Sequence, residues 1–261
     1  MKLTIEKFAS VVVTADSTWT FAVLSDGEGN STTVELTAGP DSRAVAGTLA
    51  DLVSELDSED VADESQIEVT LELSSADLRR NRVLATAVSG LRTAISQLGA
   101  MRAGVGLMEY LGGEAVESVP LYANINRSLF ATDRTPADFY RTAERGAKAG
   151  FEAFKCAPFD EVRPPSTPDR IQEEAAPGLA RVAAVREAIG PEATLLVDCH
   201  SRFERDTAPL IVDELHKLNV GWFEEPVEPT EDADVLAEIA RWAPMPVAGG
   251  GSGYGSGVFD E

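Results

Sequence analysis

Ala193-Thr194-Leu195-Leu196-Val197-Asp198 is a short apolar run that ends on an acid, and Val220-Gly221-Trp222-Phe223-Glu224 is another. Between them, residues from about Asp206 to Leu218 read as a helix that stops at Asn219. Short apolar runs rich in branched and aromatic residues read as buried strands, and a helix joining two of them makes them parallel. The same strand–helix unit recurs on both sides. Upstream, Val119-Pro120-Leu121-Tyr122-Ala123-Asn124 is a first strand. Thr135-Pro136-Ala137-Asp138 then opens a helix with a cap, a first-turn proline and an acid at the positive dipole end, and Gly150 closes it. Phe151-Glu152-Ala153-Phe154-Lys155 is the second strand. A long acidic, proline-rich connection leads to a helix from Leu179 to Ile189, ended by Gly190-Pro191. Downstream, Thr230 caps a helix to about Trp242, and Pro246-Val247-Ala248-Gly249 is the fifth strand.

Repeated β-then-α units imply a parallel sheet, either doubly wound or closed as a barrel. Lys155, Asp198 and Glu224 each fall at the C-terminal end of a strand. Barrel enzymes gather their chemistry on that face, whereas open sheets concentrate it at one switch point. Polar groups at three successive strand ends therefore favour the barrel.

The first part of the chain reads differently. Thr18-Trp19-Thr20-Phe21-Ala22-Val23-Leu24 and Thr32-Thr33-Val34-Glu35-Leu36 flank Ser25-Asp26-Gly27-Glu28-Gly29-Asn30, a hairpin signal. Ile67-Glu68-Val69-Thr70-Leu71-Glu72-Leu73 alternates like a strand. From about Ser75 to Arg102 the pattern is helical, with Leu84, Ala87, Val88, Leu91, Ala94, Ile95 and Leu98 on one face. A short helix ends at Leu111-Gly112-Gly113. Strands first and helices after describe an α+β unit.

Of the 261 residues, 44% are hydrophobic and 25% charged, a globular composition. No apolar run nears the roughly 18 residues that span a bilayer, and the N-terminus lacks the apolar block of a signal peptide. The formal charge of −22 disfavours nucleic acid and acidic membrane surfaces as partners. Lysine is scarce, at Lys2, Lys7, Lys148, Lys155 and Lys217 only, and such an acidic, lysine-poor surface suits a salt-rich, halophilic cytoplasm. Cys156 and Cys199 lie in apolar strand-like segments and read as reduced, buried thiols of a cytoplasmic protein.

In a barrel, Asp198 and Glu224, one βα unit apart, stand side by side at one rim. Paired carboxylates of this kind suit Mg²⁺, which keeps several waters and takes few protein ligands. The plainer reading is that each acid caps the following helix. Their surroundings tell more. Val197-Asp198-Cys199-His200 and Trp222-Phe223-Glu224-Glu225-Pro226 resemble metal-binding strand ends of the enolase superfamily, mandelate racemase subgroup. Phe154-Lys155-Cys156-Ala157-Pro158 falls where that family carries a Lys-x-Lys strand. Pro246-Val247-Ala248-Gly249-Gly250 resembles the segment before the family's third metal-binding glutamate. Leu107-Met108-Glu109-Tyr110-Leu111-Gly112-Gly113 with Val119-Pro120-Leu121-Tyr122 is similar to its cap–barrel junction.

The resemblance implies an α/β fold: an α+β capping domain at residues 1–116, then an incomplete (β/α) TIM-type barrel of about five βα units at 117–261. It implies a Mg²⁺-dependent lyase that abstracts the proton α to a carboxylate and dehydrates a sugar acid. Asp198 and Glu224 would be metal ligands. Lys155 would sit beside the substrate carboxylate, and His200 would face the same rim as a catalytic or substrate-binding group. Asn124 and Asn126, ending the first strand, are candidates for substrate contact. His216 reads as a solvated helix residue and Glu225 as a supporting acid. The expected partner is a small carboxylate substrate, and the resemblance also suggests assembly of like subunits.

Two departures stand out. Ala157 replaces the second lysine of the Lys-x-Lys pair, which argues against a two-base racemase and for a one-sided reaction such as dehydration. Gly251 stands where the third glutamate ligand is expected, in the run 249–257, which matches neither a P-loop nor a GxGxxG spacing. A full barrel takes about 250 residues, so 117–261 reads as the start of one and the chain as a truncated product or fragment. The alternatives are a racemase or epimerase of the same superfamily, and a catalytically inactive fragment or paralogue.

Overall fold

The structure is a computed structural model that describes residues 1–14, 17–56, 61, 63–114, 116–130, 132–229 and 232–251. The described residues divide into two compact units, one running from Met1 to Ser118 and the other from Val119 to Gly251.

In the first unit, β1 (Thr4–Thr14), β2 (Ser17–Ser25) and β3 (Ser31–Glu35) form an antiparallel sheet in sequence order. The β2–β3 turn is tight because Gly27 (φ 74°) and Gly29 (φ 101°) enter a region closed to most side chains. Asp26 Oδ1 accepts from the backbone N–H groups of Glu28 (2.9 Å) and Asn30 (3.2 Å). α1 (Ser42–Glu55) contributes Val45, Leu49 and Leu52 to the core of this unit.

The strand expected at Ile67–Leu73 is instead the short helix α2 (Ile67–Thr70), followed by a turn with Glu72 at φ 52°. Alternation there is accidental. Ile67 is fully buried but Val69 is 81% exposed, so no strand face exists to bury. Glu68 pairs instead with Arg92 at 3.0 Å. Surroundings override β-propensity readily in so short a run.

The long helix expected from Ser75 is two helices, α3 (Ser75–Arg80) and α4 (Arg82–Ala103). Asn81 is extended (φ −130°, ψ 91°), and its side chain accepts from Leu84 N–H at 3.1 Å to cap α4. α4 buries the expected face, including Leu91, Ile95 and Leu98, and α5 (Leu107–Tyr110) follows.

The second unit carries β4 (Ala123–Asn124), β5 (Ala153–Cys156), β6 (Thr194–Asp198), β7 (Val220–Glu224) and β8 (Val247–Ala248). All neighbours are parallel and the order is β4-β5-β6-β7-β8, without the reversal that marks a doubly wound sheet. This is a run of βα units of an incomplete TIM-type barrel. The first strand is shorter than expected: only Ala123 and Asn124 pair, with Phe154 and Lys155.

α6 (Pro136–Lys148) opens with a complete capping box between Thr135 and Asp138. α7 runs over Pro168–Ile189, not Leu179–Ile189. Pro168 is a good first-turn residue, and Pro177 is carried inside the helix although it forfeits a hydrogen bond. Burial of Ile171, Ala175, Val182 and Val185 offsets that loss. Gly178 on the same stripe is a necessity of packing, since a Cβ there would lie 2.3 Å from the Phe159 ring. α8 (Ala208–Lys217) and α9 (Ala233–Trp242) complete the unit. Thr230, the expected cap of the last helix, lies outside the described residues; Asp232 stands at that helix's N-cap.

Strand side chains alternate between two faces. Phe154, Cys156, Leu195, Val197 and Phe223 pack in one core with apolar residues of α6, α7 and α8. Lys155, Asp198, Trp222 and Glu224 occupy the alternate positions. Among the described residues no helix is long and apolar enough to cross a membrane.

Candidate active site

Asp198 and Glu224 are direct register partners on β6 and β7. Lys155, on β5, joins them. Its Nζ lies 3.1 Å from Asp198 Oδ2 and also hydrogen-bonds Glu224 Oε1. Lys155 and Asp198 are 9% and 7% exposed, so this is a nearly buried ion cluster. Burial works against the ammonium, but the hydrogen bonds and charges of Glu224 and Asp198 outweigh it and hold the Lys155 pKa above its ordinary value. Burial would push the Asp198 carboxyl up, yet hydrogen bonds from His200 and Lys155 and their charges bring it below the usual range.

The rim beyond the strands is zipped by further backbone bonds. Cys199 N–H donates to Glu224 O (2.9 Å), Ser201 N–H to Glu225 O (2.8 Å) and Glu225 N–H to Ala248 O (2.8 Å). These bonds hold His200, Ser201 and Glu225 at positive φ (49°, 55° and 42°). Each such residue costs about 1–2 kcal/mol, and strain of this kind clusters at functional sites. His200 Nε2 lies 3.3 Å from Asp198 Oδ2, and its backbone N–H donates to Asp198 Oδ1 at 3.1 Å. The hydrogen bond to Asp198 raises the imidazole pKa despite partial burial.

Lys155, His200, Asp198 and Glu224 are thus brought together. Asn124 and Asn126 are committed at least in part to the backbone: Asn124 Oδ1 accepts from Asn126 N–H (3.2 Å) and Asn126 Oδ1 from Ala157 N–H (2.8 Å). Gly251 offers no side chain; its N–H donates to Glu225 Oε1 at 3.1 Å. Burial first, then the charges of Asp198 and Glu224, raises the Glu225 pKa against the effect of that bond. His216 is exposed on α8, as expected. Residues 252–257 of the glycine-rich run lie outside the described residues.

Two aromatic residues escaped the sequence reading as parts of the site. Trp222 Nε1 donates to Glu224 Oε2 at 3.0 Å, and the Tyr122 ring stands 5.8 Å from Lys155 Nζ and 6.3 Å from Trp222. Strand parity was the available signal for Trp222, which sits two positions before Glu224. Among the described residues no three His, Cys, Asp or Glu side chains converge as a ready metal site.

Residues 138–261 match the family described as enolase C-terminal domain-like. That match covers most of the barrel unit. The chain is 33% identical over 170 residues to D-galactarolactone cycloisomerase of Agrobacterium fabrum, a match covering 65% of this chain and 41% of that protein. It is 32% identical over 150 residues to D-gluconate dehydratase of Thermoproteus tenax, covering 58% of this chain and 29% of the relative. The matched stretch is therefore less than half the length of either relative. The fold is that of a mandelate racemase/muconate lactonizing enzyme-like protein from Rubrobacter xylanophilus, at TM-score 0.73 and 23% identity over 95% of this chain and 66% of that one.

Both thiols of the barrel unit are buried and free. Burial pushes the Cys156 thiol up to about 12, and Cys199 well above its ordinary value. At about pH 8 the folded chain is expected to leave a disulfide reagent unconsumed, because the thiolate is the nucleophile. After unfolding in guanidinium both thiols should react. Prompt reaction of one equivalent in the folded state would show that the rim at Cys199 opens.

Proposed function

We propose that this chain carries the metal-binding strand ends of a Mg²⁺-dependent lyase that dehydrates a sugar acid through loss of the proton α to its carboxylate. The observation that carries the reading is the convergence of Asp198 and Glu224 on one cation, the Lys155 ammonium. Relatives named as sugar-acid dehydratases and a cycloisomerase support the substrate class.

The donor set fits a hard divalent ion, because Mg²⁺ is commonly held by one or two carboxylates with water and substrate completing the shell. Asp198 and Glu224 would hold it, with Gly251 adding no ligand. When bound, such an ion supplies Lewis-acid stabilisation of charge developing on the substrate carboxylate. The chain's own groups do the rest. Lys155 is released from the carboxylates and pairs with the substrate carboxylate. His200, oriented by Asp198, hydrogen-bonds a substrate oxygen and holds a proton at Nε2. Trp222 fixes the Glu224 rotamer through Oε2. Ala157 offers no base on β5, which favours a one-sided elimination over racemisation.

The second reading is an inactive relative, favoured by Gly251 and by the Lys155 bridge itself. Titration calorimetry with Mg²⁺ separates them. Binding is expected to be weak in the natural chain and tighter in Gly251→Glu, where a Cβ meets Glu225 Oε1 at 3.3 Å and asks it to shift by a few tenths of an ångström. Supporting-residue changes at metal sites already cost about 10–100-fold in affinity, so Asp198→Asn should lose more. Equal heats in all three chains would reject the metal assignment.

A further inference from the structure

A cleft of about 310 Å³ opens in the barrel unit with His200, the neighbour of Asp198, on its wall. Asn126, Arg134, Ala157, Asp160, His200 and Arg202 form its walls, and Phe130, 69% exposed, also lines it. Its volume lies at the lower end of small-molecule pockets. The sequence holds 44 acids against 22 Lys and Arg, yet Arg202 forms no ion pair among the described residues. Its hydrogen bonds run from Nη1 to two backbone carbonyls, Val162 O (2.8 Å) and Asp160 O (3.4 Å). Nε and Nη2, which carry three of the five N–H donors of a guanidinium, have no partner among the described residues. Asp160 does not fill that role. Its carboxylate is taken by Arg134 (2.5 and 3.2 Å), with Arg181 at 3.6 Å. Asn126 has its carbonyl oxygen tied to Ala157 N–H, and its amide NH₂ has no partner among the described residues. The short side chain of Ala157 keeps the cleft open at the level of Asp198, because Cys156 pairs with Val197 one residue earlier.

We propose that this cleft binds an anionic oxygen group, a carboxylate or a phosphate, at the far end of the substrate, with Arg202 as the principal donor. Resting on the proposed function, this makes the substrate a sugar acid with a second negative end. The α-carboxylate end lies at Lys155, Asp198 and Glu224, and the distal anion lies at Arg202 and Asn126. A guanidinium presents paired N–H groups that match either oxyanion.

Titration calorimetry of the whole chain at low salt tests this with inorganic phosphate, then galactarate (two carboxylates), phosphogluconate and gluconate (one carboxylate). Phosphate, galactarate and phosphogluconate are expected to bind. Arg202→Gln should weaken them by about tenfold or more, the usual worth of a charge-assisted hydrogen bond, and leave gluconate nearly unchanged. Ala157→Met enlarges a side chain on the cleft wall that takes no part in the Arg202 carbonyl bonds, and should weaken phosphate as well; circular dichroism confirms that both variants fold. The tighter of galactarate and phosphogluconate names the natural anion. Phosphate binding that is the same in Arg202→Gln and Ala157→Met as in the natural chain overturns the proposal, and so does an equal loss of gluconate and galactarate in Arg202→Gln. Phosphate binding through Arg202 with no sugar acid bound would leave the anion site standing and remove the sugar-acid reading instead.

Discussion

Replacing Lys155 by Met is expected to lower stability by about 3–5 kcal/mol, the usual loss when one member of a buried ion cluster is removed. Asp198 and Glu224 are then two carboxylates facing each other with no cation between them. Their side chains are 10% and 17% exposed, so water relieves little of the repulsion. Mg²⁺ should restore part of the loss, because a ligand that binds only the folded state stabilises it in proportion to the logarithm of its concentration over Kd. The same ion should shift the natural chain less, since there it must displace the ammonium. Urea melts of both chains with and without Mg²⁺ read this directly. A Lys155→Met chain as stable as the natural one would mean the carboxylates are solvated, and a melt insensitive to Mg²⁺ would remove the metal from the site.

Phe159→Ala should cost a similar amount, about 3–5 kcal/mol for an aromatic ring deleted from a core. Phe159 is 2% exposed, its ring centroid lies 5.0 Å from that of Phe203, and Phe203 lies 6.2 Å from Phe223. The ring also rests against Gly178, where no larger side chain fits. Gly178→Leu should therefore destabilise by itself. In the double variant, the leucine side chain introduced on α7 can enter the hole left by Phe159, so the two losses should sum to more than the measured total. Contacting sites commonly couple by about 0.5–3 kcal/mol. Strict additivity would show that the segment after β5 relaxes away from α7 rather than packing on Gly178.

The strand ends that carry the candidate site are readable because a parallel strand buried on both faces reads as a nearly continuous apolar run. A charged residue closing such a run, as Lys155, Asp198 and Glu224 do, has few structural reasons to be there. Helix limits are readable where capping chemistry is local, as at Thr135–Asp138. They mislead where local signals conflict with packing. Pro177 looks like a breaker but is outweighed by the buried stripe of α7, and Ile67–Leu73 alternates without any sheet to join. Long-range pairings are invisible for a different reason. Nothing local to Asn126 says that its oxygen holds Ala157 N–H, and nothing local to Arg202 says that the carboxylate of Asp160 is spoken for by Arg134.

Alternation along β5, β6 and β7 separates two kinds of selection within single strands. Lys155, Asp198 and Glu224 form one ion cluster, whereas Phe154, Cys156, Val197 and Phe223 fill the core. A saturation library across these strands should show tolerance that switches with every residue. Odd and even positions should respond to different assays, metal binding for one set and melting for the other. A lineage could therefore rewrite the reaction at this rim while its helices continue to pack on an unaltered sheet.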